Sequence, residues 1–282
     1  MGIVYKAKDT RLQRTVALKM IRTEAIGDPD AKSRFIREAR AASLLNHTNI
    51  ATIYDINEWG EQDFIVMEFV EGETVKEIIK NEKLKIKNLV GYAAQIAEAL
   101  TEAHAHRIIH RDIKSGNIMV TPEGRIKVMD FGLAKIAGSK TITKLTTTMG
   151  TIAYMSPEQA KGAGVDFRTD IWSLGAVLYE MICGELPFKG DYEQAVIYSI
   201  LNEEAEKMSA LRDVPPQLDQ IVCKALSKEK GERFASAQEL VNELSLFEKK
   251  LTPIKRDQQK VDGGAKLGKI TSLKKNEGYL LF

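Results

Sequence analysis

Residues 110–117 read "HRDIKSGN", a short run of basic, acidic and amide side chains. The run places Asp112 two residues before Lys114 and five residues before Asn117. A carboxylate can orient a hydroxyl nucleophile and accept its proton, a lysine can neutralise charge on a transferred phosphoryl group, and an amide oxygen can bind a metal ion. The spacing therefore favours phosphoryl transfer, although an exposed charged loop would have the same composition.

Four further motifs occur along the chain. They are "VALK" at residues 16–19, "MDFG" at 129–132, "SPE" at 156–158 and "DIWSLG" at 170–175. One such motif is common by chance, but the ordered set is not. Together with residues 110–117, the set resembles the bacterial branch of the eukaryotic-type (Hanks-type) serine/threonine protein kinases. The resemblance covers roughly residues 1–247.

The composition is ordinary for a globular protein. Of 282 residues, 44% are hydrophobic and 28% are charged, and this length suffices for one large domain or two smaller ones. Because the sequence has neither a run of about 18 apolar residues nor an N-terminal signal, we expect no membrane span and a cytoplasmic location. Cys183 and Cys223 lack metal-ligand spacing, so we expect two buried thiols in a reducing compartment.

The net charge of +2 is unevenly distributed. Residues 249–282 contain nine Lys and Arg against three Asp and Glu, a balance of +6 that leaves −4 for the remainder. This distribution does not predict a nucleic-acid-binding fold. The hydrophobic periodicity fades near Thr252, so we expect a flexible basic tail at residues 251–282. A solvated linker suits its composition, with contact to acidic partners or a membrane surface as the alternative.

The period of the apolar residues changes near Glu71. Alternating patterns before it predict an antiparallel sheet with one helix, and longer helical patterns follow it. We therefore expect a bilobal α+β fold, with a small antiparallel-sheet N-lobe at residues 1–70 and a larger, mainly helical C-lobe at 71–250. Expected strands lie at residues 3–9, 14–21 and on both sides of Gly60, with a short hairpin turning at 123–124. Expected helices lie at residues 31–45, 88–106, 171–184 (buried on all sides), 214–226 and 235–251.

The resemblance implies an ATP site built around Lys19. This residue matches the strand lysine that holds the α- and β-phosphates, whereas a solvated lysine at a strand end is the simpler interpretation. Glu38 on the first helix matches its carboxylate partner, and Glu24 is a weaker candidate. A helix that swings this carboxylate in or out would switch the enzyme on or off.

The resemblance assigns the catalytic roles within residues 110–117. Asp112 matches the catalytic aspartate, and Lys114 marks serine/threonine specificity in this family. Asn117 and Asp130 match the residues that hold Mg²⁺, an ion that prefers oxygen ligands. His110 and Phe131 are expected to be packing residues.

Adenine is sandwiched between small or aliphatic side chains in this family, and its edge meets the backbone of a connector between the lobes. For each matching position, plain core packing is the simpler interpretation. The matching residues are Gly2 in the phosphate loop, Val4, Ala17 and Met119 around the ring, Met67 at the back of the pocket, and Glu68, Phe69 and Val70 in the connector.

The family pattern also implies structural contacts in the second lobe. Thr151 would hydrogen-bond Asp112 and Lys114, and Asp170 would brace the backbone of the catalytic loop. Glu158 and Arg233 match a buried ion pair.

The segment between Gly132 and Ser156 is rich in threonine. A flexible loop is the simple interpretation, and an activation segment ordered by phosphorylation is the one that the resemblance implies. Arg111 would then pair with a phosphothreonine, and trans-autophosphorylation would require two chains to associate. The candidate phosphorylation sites are Thr143, Thr146, Thr147 and Thr148.

The sequence departs from the family in the Gly-rich loop, G-x-G-x-x-G-x-V. Only the last part of this pattern is present, at Gly2 and Val4. We therefore expect weaker nucleotide affinity and an exposed edge on the strand that follows. Because the catalytic Lys, Glu, Asp, Asn and Asp are all present, we interpret the chain as a working kinase truncated within this loop.

The leading hypothesis is a non-specific protein kinase that transfers the γ-phosphate of Mg-ATP to Ser and Thr hydroxyls of proteins. A nucleotide-binding pseudokinase scaffold, or a fragment inactive through its missing loop, is the main alternative. A small-molecule phosphotransferase of related fold is disfavoured because such proteins generally lack "SPE" and "DIWSLG". A structural ion site at His104, His106 and His110 has the least support, since no acidic ligand accompanies them.

Overall fold

The computed structural model describes residues 3–20, 29–60, 62–81, 85–131 and 149–251. Several predictions of function concern residues outside these ranges. They are Gly2, the weaker candidate Glu24, the threonines at 143, 146, 147 and 148, and the predicted tail from residue 252 onward.

A four-stranded antiparallel sheet forms the first part of the chain, with strand order β1-β2-β4-β3. Its strands are β1 (Val4–Asp9), β2 (Arg14–Met20), β3 (Ile53–Trp59) and β4 (Gln62–Glu68). The two hairpins predicted for this part of the chain are confirmed. The second turns at Gly60, which has a left-handed φ of 62°. Burial alternates along β4, so one face of the sheet supplies the core.

Helix α1 (Pro29–Ser43) lies against β3. It begins at Pro29, whose fixed φ suits the first turn of a helix. Ala39 of this helix is fully buried. It belongs to a small core whose other members are Ala17, Ala51, Ile65, Met67 and Val70.

Strand β1 lies at the edge of this sheet, as the sequence predicts. Ile3, Val4 and Tyr5 are all more than half exposed there. Such an edge presents apolar side chains and backbone hydrogen-bonding groups to its surroundings.

The chain then forms a second, smaller sheet and a long helix. The three-stranded sheet has the order β5-β6-β7, with β5 (Glu73–Thr74), β6 (Ile118–Val120) and β7 (Ile126–Val128). The helices in this part are α2 (Val75–Asn81) and α3 (Ile86–Ala105). A 3₁₀ turn at Ser115–Asn117 leads into β6. The "HRDIKSGN" motif therefore ends at the start of the central strand of this sheet.

Helix α6 (Arg168–Cys183) is the centre of the larger lobe. Every residue from Thr169 to Ile182 is buried, which confirms the helix buried on all sides. Gly184 ends it in the left-handed conformation. The remaining elements are α4 (Met149–Ile152), α5 (Pro157–Ala160), α7 (Glu193–Asn202), α8 (Met208–Leu211), α9 (Pro216–Ala225), a 3₁₀ turn at Lys230–Glu232, and α10 (Ala237–Leu251).

The architecture is thus a bilobal α+β fold, with a small antiparallel sheet lobe and a mainly helical lobe. One expectation about the thiols is wrong, because Cys223 is exposed and Cys183 is only half-buried. Cys223 lies on the outward face of the amphipathic helix α9, whose inward residues include Ile221 and Val222. Within the described residues, no helix has both the length and the apolar composition that crossing a membrane requires.

Candidate active site

Asp170 at the start of α6 holds the backbone of the loop that carries "HRD". Its Oδ1 accepts the N–H of Arg111 and its Oδ2 accepts the N–H of His110, both at 2.8 Å. His104 Nε2 lies 2.9 Å from the same Oδ2. Arg111 has a φ of 66°, a conformation that a non-glycine residue keeps only with outside support. A fully buried carboxylate supplies that support here.

Asp112, Lys114, Asn117 and Thr151 form one polar cluster. Lys114 Nζ donates to Asp112 Oδ2 at 2.7 Å and to Thr151 Oγ1 at 3.2 Å. Asn117 Nδ2 donates to the backbone oxygen of Asp112 at 2.9 Å and to its Oδ2 at 3.0 Å. These bonds use the amide nitrogen of Asn117, which leaves its side-chain oxygen as the atom suited to a cation.

Lys19 and Asp130 meet between the two lobes. Lys19 Nζ on β2 lies 2.6 Å from Asp130 Oδ1, and both side chains are about three-quarters buried or more. Asp130 has a left-handed φ of 65°, and the ring of the next residue, Phe131, packs edge-on against His110 at 4.6 Å. The resemblance predicts Glu38 as the partner of Lys19. The structure places Asp130 there, and the role of the half-buried Glu38 on α1 stays a prediction.

Both lobes contribute apolar surface next to this pair. Ala17 and Met67 are neighbours in the β2–β4 register and belong to the small core. Met119 from β6 packs against the same core from the other lobe. The cavity behind Met67 measures only about 10 Å³, so the interior there is nearly filled. Val4, by contrast, is exposed on the edge strand.

Glu158 and Arg233 form the buried ion pair that the sequence predicts. Two hydrogen bonds of 2.8 Å join the guanidinium to both carboxylate oxygens, and Thr169 Oγ1 donates to Glu158 Oε1 at 2.7 Å. Burial alone would raise the pKa of Glu158, but these hydrogen bonds outweigh it and hold the pKa below its ordinary value. The pair ties α5, beside the "SPE" motif, to the loop that precedes α10.

A second buried network was missed by the sequence analysis. Tyr154 OH donates to Glu180 Oε2 at 2.6 Å and lies 2.9 Å from Ser115 Oγ. Burial raises the pKa of Glu180, against the opposing hydrogen bonds. The signal was a single acidic residue inside the apolar run of α6, since a buried charge needs partners.

Arg111, the residue before Asp112, carries a side-chain donor that is unused within the described residues. Its Nε is buried and has no hydrogen-bond partner among the described residues. The threonines that the sequence proposes as its phosphorylated partners lie outside those residues. Thr151 is described, and it contacts Lys114.

The three histidines considered for an ion site each contact a different group. His104 lies against Asp170, His106 against the backbone oxygen of Glu102, and His110 Nε2 against the backbone oxygen of Met129. The part of the chain that the structure describes contains no cluster of three His, Cys, Asp or Glu side chains able to hold a metal ion. The structure therefore gives no support to an ion site built on these histidines.

Comparison with known proteins agrees with this geometry. The protein kinase domain family matches residues 1–244. A probable serine/threonine-protein kinase of Clostridium acetobutylicum is 42% identical over 246 residues, which cover 86% of this chain and 37% of that protein. Serine/threonine-protein kinase PrkC of Bacillus subtilis is 41% identical over 244 residues, covering 85% and 37%.

PknB of Mycolicibacterium smegmatis is 41% identical over 248 residues, covering 85% of this chain and 40% of that protein. The chain thus spans about two fifths of the length of these curated relatives. The crystal structure of the PknI kinase domain of Mycobacterium tuberculosis superposes with a TM-score of 0.70 at 25% identity, over 87% of this chain and 90% of that one. The chain belongs to the protein kinase family, in its branch of bacterial serine/threonine kinases.

Proposed function

We propose that this domain transfers the γ-phosphate of ATP to Ser and Thr hydroxyls of proteins. The cluster of Asp112, Lys114, Asn117 and Thr151 carries the proposal, because one carboxylate oxygen sits within 3.0 Å of both an ammonium and an amide nitrogen. This arrangement fixes the direction in which the other carboxylate oxygen faces. A carboxylate held in this way suits a group that orients a hydroxyl and accepts its proton.

Each side chain has a separate role in the proposed reaction. Asp112 orients the acceptor hydroxyl and takes its proton as the new P–O bond forms. Lys114, nearly buried beside it, offsets negative charge on the transferred phosphoryl group. Lys19 holds the α- and β-phosphates once nucleotide replaces Asp130 as its partner.

The residues present also fit a magnesium ion and an adenine ring. Asp130 offers a carboxylate and Asn117 an amide oxygen, a donor set that suits Mg²⁺ with phosphate oxygens and water completing its shell. The bound ion would neutralise charge on the phosphates. Ala17, Met67 and Met119, which share one small core, would offer apolar contacts to the adenine, and the connector backbone at residues 68–70 would offer its edge contacts.

The test is a transfer assay with radiolabelled ATP, magnesium and a mixed Ser/Thr protein substrate. We expect phosphoserine and phosphothreonine from the unaltered chain and a loss of about 10²–10⁴-fold with Asp112→Asn, in line with removal of a general base. Nucleotide binding without transfer by the unaltered chain would favour the pseudokinase scaffold. Transfer to small molecules but not proteins would favour a small-molecule phosphotransferase.

We further propose control by phosphorylation of the segment around residues 143–148. The support is the buried Arg111 Nε without a hydrogen-bond partner in the described residues, beside the proposed catalytic loop. Self-association of two chains would allow each to phosphorylate the other. Phosphosite mapping of active enzyme should find modified threonines there, and Arg111→Met should abolish the activating effect. An unmodified segment in fully active enzyme would exclude this control.

A further inference from the structure

An ion pair between Glu68 and Lys127 crosses from the sheet lobe to the helical lobe. Lys127 Nζ lies 2.8 Å from Glu68 Oε1 and 2.9 Å from Glu68 Oε2. The two residues are 59 positions apart in sequence, and their side chains are only 18% and 24% exposed for lysine and glutamate. A pair this shielded is screened less by salt than a surface pair.

Backbone groups also form hydrogen bonds with both charged side chains. Glu68 Oε2 also accepts the N–H of Thr52 at 3.1 Å, and Lys127 Nζ also donates to the backbone oxygen of Ile50 at 3.3 Å. The N–H of Glu68 bonds in turn to the backbone oxygen of Thr52 at 2.8 Å. The Glu68 side chain is therefore held by two groups from two other segments, the Lys127 ammonium and the Thr52 N–H, and its backbone N–H is held by a third group.

The same segments are joined by further bonds. The N–H of Ala51 bonds to the backbone oxygen of Val128 at 3.0 Å, and Asn49 Nδ2 donates to the backbone oxygen of Ile126 at 2.9 Å. Residues 49–52 are thus attached to β7, and the ion pair extends this attachment to the end of β4.

The location of the pair connects two parts of the proposed nucleotide site. Glu68 is the last residue of β4 and the first of the connector at residues 68–70. Lys127 lies on β7, three residues before Asp130. The pair therefore fixes the connector backbone relative to the strand that leads to the proposed metal ligand.

We propose that Lys127 is a positioning residue for nucleotide binding. It holds Glu68 so that the connector backbone is already arranged to meet the adenine edge before nucleotide enters. The inference rests on the proposed function. Preorganisation of this kind lowers the cost of binding but contributes equally to ground state and transition state, so its loss raises KM for ATP and leaves kcat nearly unchanged.

The test compares Lys127→Met with Arg125→Met. Arg125 lies two residues earlier in the same hairpin, is well exposed and has only a 3.9 Å surface contact with Glu123, so it is the matched control. For Lys127→Met we expect a rise of about three- to tenfold in KM for ATP and in the Kd of a fluorescent ATP analogue, as for a lost pairwise coupling. Arg125→Met should change neither, and Lys127→Arg should restore most of the affinity.

A double-mutant cycle keeps the inference separate from the proposed function. Glu68→Gln should weaken nucleotide binding to a similar extent, and the double variant should be no weaker than either single one. The Kd measurement does not need phosphate transfer, so an inactive chain would refute the proposed function without deciding this inference. Lys127→Met that lowers the melting temperature but leaves both KM and Kd unchanged would show a purely structural pair and overturn it.

Discussion

Lys114 Nζ lies between Asp112 Oδ2 at 2.7 Å and Thr151 Oγ1 at 3.2 Å, and so joins the loop that carries "HRD" to helix α4. The buried Lys114 ammonium donates a charge-assisted hydrogen bond that orients this carboxylate. The segment that carries Thr151 is thereby fixed relative to the proposed base.

Lys114→Met should reduce kcat about 10²-fold or more with little change in the Kd of nucleotide, because the charge acts on the transferred group rather than on adenine. Lys114→Arg should recover only part of the activity, since the guanidinium cannot take the place of a compact ammonium. Steady-state kinetics with a Ser/Thr peptide measures both. An unchanged kcat in Lys114→Met would contradict the role given to this residue.

Arg233→Met should lower the free energy of unfolding by about 3–5 kcal/mol at neutral pH, because it leaves Glu158 buried without its cation. The native pKa of Glu158 lies below its ordinary value of 4.5, so the pair contributes its full stability above that pH and loses it as the pH falls through the native pKa. The loss in free energy of unfolding caused by Arg233→Met should therefore become smaller at acidic pH. Urea unfolding at several pH values tests this, with the exposed Arg125→Met expected to cost less than about 1 kcal/mol.

The Glu180→Gln variant should become more stable relative to the unaltered protein as the pH rises. The pKa of Glu180 is raised by burial above its ordinary value of 4.5, so ionising the native carboxyl costs free energy that the unfolded chain does not incur. The stability difference between variant and unaltered protein should grow as the pH increases from about 4.5 towards the native pKa. Glu243→Gln, at an exposed site on α10, is the control for removal of one carboxylate from the protein.

Gly72→Ala should destabilise the protein by about 1–3 kcal/mol. Gly72 has a φ of 138°, and a Cβ there would collide with the backbone oxygen of Val120 in β6. Gly124→Ala is a matched control, because its φ of 76° is also left-handed but a Cβ there meets nothing within 4 Å. Thermal unfolding should show the larger loss for Gly72→Ala, and equal losses would mean that the contact with Val120 is unimportant.

Long periodic segments were predictable from the sequence, and short or distant features were not. The buried helix α6 and the two sheet hairpins follow from local hydrophobic periodicity. Strand β5, at Glu73–Thr74, has too few residues to show any period, and it exists because it pairs with β6. The exposure of Cys223 depends on which face of α9 turns inward, a choice that tertiary packing makes.

The candidate site was likewise predictable where residues are close in sequence and not where they meet only through packing. The spacing within residues 110–117 indicated that Asp112, Lys114 and Asn117 act together, and the structure places their side chains in contact. Lys19 and Asp130 were both predicted at one ATP and magnesium site, but their direct ion pair was not foreseen, because it depends on how the two lobes meet rather than on either motif. The pair of Glu68 and Lys127 likewise gives no local signal, since each residue resembles an ordinary charged residue on a strand.

Helix α6 supplies the reference point for both halves of the proposed chemistry. Asp170 near one end anchors the loop that carries Asp112, while Ser173 and Glu180 further along hydrogen-bond Tyr154, three residues after Thr151. Because one helix holds both segments, a substitution that displaces α6 would move the proposed base and the Thr151 segment together.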